Sequence, residues 1–275
     1  MVSVLIITKN EENDLPGCLQ SVSWCDDIHV FDSFSDDATV QIAQGAGAFV
    51  NQRKFDNYAS QRNAALETNN YKYEWLLILD ADERVPESLI NYIFEAVQHA
   101  SVAVCGYRIL RRDFLWNKRL KHAQISPYYI RLIRLGKARY IREINEVLVV
   151  DGVVEYLPGH FDHYPFSKGI SHWVAKHNSY STMEAKRWME ENSGNEKFSI
   201  REAIFSKDFS HRRYHQKGLF YKIPGRPVIK WIYMVVWRRA FLDGKAGFTY
   251  AVLQSIYEYF IVVKTRELIN KRKNI

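Results

Sequence analysis

Apolar runs alternate with amphipathic segments along the first hundred residues of the chain. Residues 2–7 and 75–79 are continuous runs of β-favouring side chains, which predict strands buried on both faces. Shorter apolar runs at residues 28–31 and around Phe49 predict two further strands. Apolar positions at helical spacing predict the helices between them, at residues 15–22, 40–43, 58–66 and 89–97. This alternation predicts an α/β fold with a mostly parallel sheet flanked by helices.

The pattern changes after residue 100. Residues 102–110, 128–135 and 147–150 have the composition of strands, but polar and basic loops rather than helices separate them. They therefore predict an antiparallel extension of the sheet. Helical spacing returns near residues 171–191 and again in the C-terminal part of the chain.

A change of charge marks the C-terminal quarter of the chain. Residues 201–275 carry 16 Lys and Arg against 5 Asp and Glu, whereas residues 1–200 carry 22 against 26. A polar segment at residues 190–197 indicates a linker. We therefore expect one α/β domain over residues 1–195 and a basic, aromatic helical tail over residues 196–275.

The composition of this tail favours a membrane surface as its partner. Aromatic rings alternate with Lys and Arg through residues 222–263, and such rings favour the headgroup level of a bilayer. Residues 246–263 form a long apolar stretch, but Glu258 interrupts it, so binding at the surface is favoured over a span. A helical hairpin packed on the protein is the alternative. Nucleic acid is disfavoured as a partner because the tail has no recognisable binding module.

The overall composition excludes several classes of protein. An apolar fraction of 47% in 275 residues is sufficient for a packed core. The three cysteines, Cys18, Cys25 and Cys105, are too few and too scattered for a disulfide scaffold, and their spacing does not indicate a zinc site. The sequence begins directly in an apolar strand without a basic leader, which predicts a cytoplasmic location.

Polar clusters follow three of the predicted strands, at residues 8–12, 32–37 and 80–83. The carboxyl ends of parallel strands share one edge of a sheet, and ligands of such folds bind at that edge. Asp80 and Asp82 stand two residues apart at a strand end, where both can reach one hard cation such as Mg²⁺ or Mn²⁺. A solvated turn whose acids cap the next helix is the alternative.

Asp32 and Arg62 are candidates for contacts with a nucleotide. Asp32 ends the second predicted strand and can accept hydrogen bonds from a base N–H or a ribose hydroxyl. The guanidinium of Arg62 can pair with phosphate. A turn aspartate and an ordinary surface arginine are the alternatives. The sequence has no GxGxxG, GxxxxGK(S/T) or GxSxG motif, which argues against Rossmann dehydrogenases, P-loop NTPases and hydrolases with a nucleophile elbow.

Several motifs occur together in the order in which one enzyme family has them. They are VLIITKNEE at residues 4–12, DSFSDDAT at residues 32–39, QRNAA at residues 61–65 and DADE at residues 80–83. With these motifs the chain resembles the nucleotide-sugar domain of the family 2 glycosyltransferases, which have the GT-A fold. Later motifs resemble the bacterial subgroup that adds glucose to the inner core of lipopolysaccharide. They are YIRLIR at residues 129–134, KHNSYS at residues 176–181 and FLDGKAG at residues 241–247.

The resemblance implies a site for a uridine-diphosphate sugar and a divalent metal. The residues that would bind the UDP-sugar are Thr8, Asn10, Asp32, Arg62 and Asp80. Asp80 and Asp82 would also hold Mg²⁺ or Mn²⁺, which neutralises charge on the diphosphate leaving group.

The catalytic base is where the chain departs from the subgroup. An inverting transfer needs a base that deprotonates the acceptor hydroxyl as it attacks the sugar. The subgroup tends to have His-Glu where this chain has Asn145-Glu146, so Glu146 is the candidate base. Glu143 and Asp151 compete with it for this role, and a purely structural ion pair of Glu146 with Arg139 or Arg142 is also open.

The resemblance thus implies an inverting, metal-dependent transfer of a hexose, with glucose favoured, from a UDP-sugar to a heptose of the lipopolysaccharide inner core. The partners would be the UDP-sugar, the anionic lipid A–core acceptor and, as a peripheral contact, the inner face of the cytoplasmic membrane. Transfer to polyprenyl phosphate or to another cell-envelope glycan is the alternative. A sugar nucleotidyltransferase is disfavoured because residues 8–11 read Thr-Lys-Asn-Glu where that class needs a glycine-rich loop.

Overall fold

The strands of the computed structural model lie in two sheets. The structure describes residues 1–68, 70–141, 146–191, 198–206, 209–223 and 225–273. The strands are β1 (Ser3–Thr8), β2 (Ile28–Asp32), β3 (Phe49–Gln52), β4 (Trp75–Asp80), β5 (Glu83–Arg84), β6 (Val104–Leu115), β7 (Lys118–Arg119), β8 (Tyr128–Arg134), β9 (Ala138–Ile141), β10 (Val147–Val150) and β11 (Val153–His163). The main sheet has the order β3-β2-β1-β4-β8-β6-β11-β5, and β9 pairs with β10 separately.

Strand direction divides the main sheet into a parallel half and a mixed half. β1 pairs in parallel with β2 and with β4, and β2 pairs in parallel with β3. β8 is antiparallel to both β4 and β6. β11 runs parallel to β6 and antiparallel to the short β5. The predicted α/β class, with a mostly parallel sheet and an antiparallel extension, is confirmed.

The helices surround the parallel strands and form most of the C-terminal part of the chain. They are α1 (Leu15–Ser21), α2 (Thr39–Gly45), α3 (Tyr58–Thr68), α4 (Glu87–His99), α5 (Gly169–Glu191), α6 (Ile200–Phe205), α7 (Phe209–Lys222), α8 (Arg226–Ile232) and α9 (Gly244–Lys273). A π-helical turn, Tyr233–Trp237, and a 3₁₀ turn, Ala240–Asp243, connect α8 to α9.

Successive residues of the central strands pack on opposite faces of the sheet. Val4 of β1 belongs to a core that includes Leu15 of α1 and Leu89 of α4. Leu5, the next residue, belongs to a second core that includes Ala59 and Ala65 of α3. The central strands are continuous apolar runs because both of their faces are buried.

The sequence did not predict the short strands β5, β7 and β9, and two further differences concern β11 and β10. β11 was not expected, because Pro158 and Gly159 interrupt its sequence. The strand accommodates them by a shift of its pairing register with β6 between Tyr156 and His160. β10 coincides with the predicted strand, but it pairs with β9 in a separate sheet and does not extend the main sheet.

The chain divides into two compact units. The first contains Met1–Phe114 and Ile125–Ser167, and the second contains Leu115–Gln124 and Lys168–Ile275. The predicted domain boundary at residue 195, and most of the predicted linker, lie outside the described residues. Within the second unit α5 packs against α9.

Among the described helices, one is long and apolar enough to cross a membrane by length and composition. It covers Ala240–Arg272, with a mean hydropathy of 1.2 over its most apolar 18 residues, 39% of which is buried. Its face with Ala251 and Ile261 is buried, and Glu258 forms an ion pair of 2.8 Å with Arg226 of α8. Packing on α5 and α8 and a buried ion pair are also features of a core helix, so this is a weak indication of a span.

Candidate active site

The carboxyl ends of four parallel strands bring polar side chains to one edge of the sheet. Thr8 at the end of β1 pairs in register with Asp32 of β2, and Asp32 pairs with Gln52 of β3. On the other side of β1, Ile7 pairs with Asp80 at the end of β4. The structure therefore brings together three of the side chains that the sequence pattern assigns to a common edge.

Asp32 is completely buried, and its carboxylate organises the loop that follows β2. Oδ1 accepts hydrogen bonds from the hydroxyls of Thr8, at 2.9 Å, and Ser35. Oδ2 accepts from the Ser35 N–H at 2.8 Å and from the Gln52 amide at 3.0 Å. Burial alone would raise the pKa of Asp32, but these hydrogen bonds hold it below its usual range. With four donors around it, the carboxylate holds this loop in place.

The loops that follow β1 and β2 are joined to each other at the same edge. Asn10 has a left-handed backbone, with φ of 54°; its N–H donates to Ser35 Oγ at 2.8 Å, and its Oδ1 accepts from the Asp36 N–H at 3.1 Å. Phe34 also has a positive φ, of 58°, and an exposed ring. Residues other than glycine rarely adopt a positive φ, and those that do are concentrated at ligand sites. Asn10 and Phe34 thus form a constrained rim beside Asp32.

Asp80 lies between two arginines that come from different parts of the chain. Its Oδ1 accepts a hydrogen bond of 2.6 Å from Nη2 of Arg62, on α3. Its Oδ2 accepts one of 3.0 Å from Nη2 of Arg131, on β8. Burial alone would raise the pKa of the Asp80 carboxyl, but the two guanidiniums hold it well below its usual range. Asp80 is therefore ionised and orients both cations.

Glu83 shares Arg131 with Asp80. It is completely buried; one carboxylate oxygen accepts from Arg131 and the other accepts from the Asp80 N–H at 3.0 Å. Burial raises the pKa of Glu83 above its usual range, although Arg131 opposes this effect. The sequence did not single out either residue as part of the site. Arg131 lies in the motif at residues 129–134, which was the available signal.

Glu146 is joined to the same cluster through Arg62. Its Oε1 accepts a hydrogen bond of 3.1 Å from Nε of Arg62, the arginine that also binds Asp80. Asp151, a competing candidate for the base, lies in the exposed turn at the opposite end of β10. Glu143 and Arg142, which the sequence offered as a competing base and as an ion-pair partner of Glu146, lie outside the described residues.

One nitrogen of Arg62 is buried without a partner. Its Nη2 and Nε are both hydrogen-bonded, but Nη1 has no acceptor among the residues that the structure describes. A buried polar group that lacks a partner costs about 1–3 kcal/mol, so such groups are rare in folded proteins. An anionic oxygen supplied by a ligand would satisfy this donor.

Asp82 faces a histidine from the far end of the sheet. Its Oδ2 lies 3.3 Å from Nε2 of His163, and the other ring nitrogen, Nδ1, donates to the buried carboxylate of Asp113. β11 ends at His163 and pairs with β5, which begins immediately after Asp82. Burial alone would lower the pKa of His163, but Asp82 and Asp113 raise it to about 9. A lone histidine in the sequence gave no signal for this placement.

The donor set at the end of β4 fits Mg²⁺ or Mn²⁺. Asp82 supplies hard carboxylate oxygen, and His163, whose raised pKa makes it a cation at neutral pH, pairs with it and with Asp113. Both oxygens of Asp80 are engaged by arginines. The described residues contain no group of three or more such side chains arranged for a metal. The protein would thus provide few ligands, and water and a ligand's phosphates would complete the shell.

The chain is similar to a family model and to several curated proteins. Residues 3–152 match the model described as glycosyl transferase family 2. The chain is 27% identical over 286 residues to the lipopolysaccharide core biosynthesis glycosyltransferase LpsC of Rhizobium meliloti, and the alignment covers 100% of this chain and 96% of LpsC. It is 29% identical over 238 residues to an uncharacterized glycosyltransferase of Rickettsia bellii, with 79% and 78% covered.

A solved structure has the same fold. The structure of residues 1–349 of TarS from S. aureus, in complex with UDP-GlcNAc, superimposes with a TM-score of 0.50 at 14% sequence identity. The alignment covers 99% of this chain and 91% of the TarS chain. At this identity the likeness concerns the fold, and it agrees with the GT-A architecture expected from the motifs.

Proposed function

Because this chain belongs to glycosyl transferase family 2, we propose that the edge formed by Thr8, Asp32, Arg62 and Asp80 binds a UDP-sugar for transfer to a glycolipid acceptor. The donor is UDP-glucose, and the acceptor is a heptose of the lipopolysaccharide inner core. The name of LpsC supports a lipopolysaccharide core substrate, since LpsC aligns with the whole of this chain. The reaction takes place at the inner face of the cytoplasmic membrane, where the chain is a peripheral protein.

The main support for the proposed donor site is the Arg62 nitrogen that has no hydrogen-bond partner among the described residues. Nη1 is buried beside Asp80 and has no acceptor among the described residues, so it is suited to a phosphate oxygen. Asp80 and Glu146 hold the guanidinium in place from two sides, which reduces the entropy lost when the phosphate binds. Asp32 acts on the nucleotide by fixing the loop that carries Ser35, and Ser35 in turn binds Asn10 of the loop that follows β1.

The metal is assigned to Asp82 and Asp80, and Asp80 also positions the arginines. A bound Mg²⁺ or Mn²⁺ would neutralise negative charge that develops on the diphosphate as the sugar leaves. The charges of the cluster support this assignment. The carboxylates of Asp80, Glu83 and Glu146 already engage Arg62 and Arg131, so little cationic charge remains for a diphosphate.

Glu146 is the proposed base of an inverting transfer. The acceptor hydroxyl must lose its proton as it attacks the anomeric carbon on the face opposite the diphosphate. Glu146 contacts the guanidinium assigned to the diphosphate, whereas Asp151 lies at the other end of β10. Glu146 thus borders the proposed donor site, whereas Asp151 does not, and Oε2, the oxygen that is not paired with Arg62, would take the proton on the acceptor side.

Transfer to polyprenyl phosphate remains the second candidate function, and an acceptor assay decides between the two. UDP-glucose, UDP-galactose and UDP-N-acetylglucosamine are each supplied with Mn²⁺ to the full chain, with either heptose-terminated lipid A–core or polyprenyl phosphate. We expect transfer of glucose to the lipid A–core and slow hydrolysis of the same donor without acceptor. Transfer to polyprenyl phosphate alone would favour the second function, and no turnover of any UDP-sugar would contradict both.

Substitution of Arg62 tests the donor site directly. Arg62→Met removes the donors to phosphate and leaves Asp80 and Glu146 without their shared cation. Since hydrogen bonds to charged groups contribute about 1.5–3 kcal/mol, we expect UDP affinity to fall about 10–100-fold. Isothermal titration with UDP and Mn²⁺ measures the effect.

The matched control for this substitution is Lys72→Met. Lys72 is also a cation in an ion pair, but its partner is the exposed Asp26, which precedes β2 at the opposite edge of the sheet. We expect UDP affinity close to that of the unsubstituted chain. Equal losses in both variants would show a general effect of charge and would remove Arg62 from the donor site.

A further inference from the structure

Large, exposed apolar side chains of the second unit are gathered in one short connection, which also contains Tyr233 and Val236. Between α8 and α9, the π-helical turn ends at Trp237, which is 80% exposed, and the following 3₁₀ turn exposes Phe241 and Leu242 by 54% and 52%. We call these three residues the apolar tip. Apolar side chains of this size are rarely gathered at the surface unless they contact a partner or a membrane.

The backbone beneath the apolar tip is held firmly. The buried carboxylate of Asp243 accepts hydrogen bonds from the N–H groups of His122 and Ala123, at 2.7 and 2.8 Å. Nε of Arg238 donates to the carbonyl oxygen of His122 at 3.0 Å. A side chain at Gly247 would collide with the carbonyl of Ala240, so α9 starts in direct contact with the 3₁₀ turn. The exposure of the tip is thus imposed by the fold.

Positive charge surrounds the apolar tip. Arg239 and Lys245 are exposed on either side of Phe241 and Leu242, and Arg238 precedes them. From residue 226 to residue 257 the only acidic side chain is Asp243, which is buried and bonded to backbone N–H groups. The chain on either side of the tip therefore presents cations without exposed carboxylates.

We propose that the apolar tip inserts into the interfacial region of an anionic phospholipid bilayer. Trp237 and Phe241 are suited to the headgroup level, where aromatic rings are favoured, and Leu242 reaches the acyl boundary. Arg239 and Lys245 contact lipid phosphates, which accounts for the combination of exposed rings with cations. The inference rests on the proposed function in one respect, since a glycolipid acceptor makes a membrane surface the place of reaction.

This contact gives α9 a role other than spanning the bilayer. Its buried face packs on α5 and α8, and Glu258 in its middle pairs with Arg226, while the tip lies at its N-terminal end. The second unit would therefore rest on the bilayer through the α8–α9 connection, with α9 as part of its core.

Vesicle sedimentation with the full chain tests the proposal. The full chain is mixed with vesicles of phosphatidylcholine alone or with phosphatidylglycerol added. We expect binding to the anionic vesicles and at least about tenfold weaker partition for the double variant Trp237→Ser/Phe241→Ser. Lys245→Glu should bind more weakly, and its residual binding should be less sensitive to salt, because an electrostatic contact with lipid phosphate is lost. The matched control is Phe205→Ser, which removes an exposed ring of α6 in the same unit. Unchanged binding of the double variant, or an equal loss in the control, would overturn the proposal.

Further measurements distinguish membrane insertion of the apolar tip from the proposed enzymatic function. They also distinguish it from contact of the tip with another partner. The double variant should bind UDP normally and turn over a water-soluble, deacylated acceptor, while losing turnover of acceptor embedded in vesicles. If the unsubstituted chain transfers no sugar at all, the proposed function fails, whereas vesicle binding still decides the role of the tip. Dimers that dissociate in the double variant, binding of oligonucleotide in place of vesicles, or resistance of bound protein to alkaline carbonate would each contradict insertion at the surface.

Discussion

Replacing Asp82 with alanine is expected to abolish metal-dependent sugar transfer. Asp82 lies two residues after the end of β4, at the carboxyl edge of the sheet, and its carboxylate faces His163 at 3.3 Å. A metal on a diphosphate leaving group supplies several kcal/mol of charge stabilisation, so turnover should fall by at least about 10³-fold. Initial rates over a Mn²⁺ titration, together with Mn²⁺ affinity in the presence of UDP, measure the loss.

Asp26→Ala is the matched control for that substitution. Asp26 is also a carboxylate in a loop, but it is exposed, pairs with Lys72 and precedes β2 at the opposite edge of the sheet. The Asp26→Ala substitution should leave both turnover and the response to Mn²⁺ unchanged. If Asp82→Ala retains the same dependence on Mn²⁺ as the unsubstituted chain, Asp82 does not hold the metal.

Replacing Glu146 with glutamine is expected to lower turnover by about 10²–10⁴-fold, the usual contribution of a general base. The amide oxygen can still accept from Nε of Arg62, so UDP binding should be nearly unchanged. The kinetic loss should therefore appear in kcat.

Asp151→Asn tests whether Asp151, rather than Glu146, is the catalytic base. Asp151 is exposed at the opposite end of β10 from Glu146, and its substitution should leave kcat unchanged. The reverse result, with normal turnover in Glu146→Gln and a large loss in Asp151→Asn, would transfer the role of base to Asp151. A parallel fall of UDP affinity in Glu146→Gln would instead indicate that Glu146 only positions Arg62.

The parallel half of the fold could be predicted because its signals are local. β1 and β4 are continuous apolar runs, each followed at once by polar residues, so their position and the residues at their carboxyl ends follow from neighbouring side chains. β11 could not be predicted in the same way. Pro158 and Gly159 break its pattern, and only pairing with β6 on one side and β5 on the other makes it a strand.

The candidate site could likewise be predicted only in part. The motifs placed Asp32, Asp80 and Asp82 near one edge, but they did not indicate which partners these carboxylates have. Arg62 joins Asp80 to Glu146 across a separation of 84 residues in the chain. Arg131 and His163 reach Asp80 and Asp82 from β8 and β11, which the sequence places far away.

The sequence by itself determined the parallel sheet, the residues at its carboxyl edge and the family to which the chain belongs. These follow from periodicity and motif order, which depend on residues close together in the chain. Only the tertiary structure decided that Asp80 is neutralised by two arginines, that Asp82 faces a histidine, and that Trp237, Phe241 and Leu242 are held at the surface. Those features depend on charges and hydrogen bonds between distant segments, and the folded chain alone brings such segments into contact.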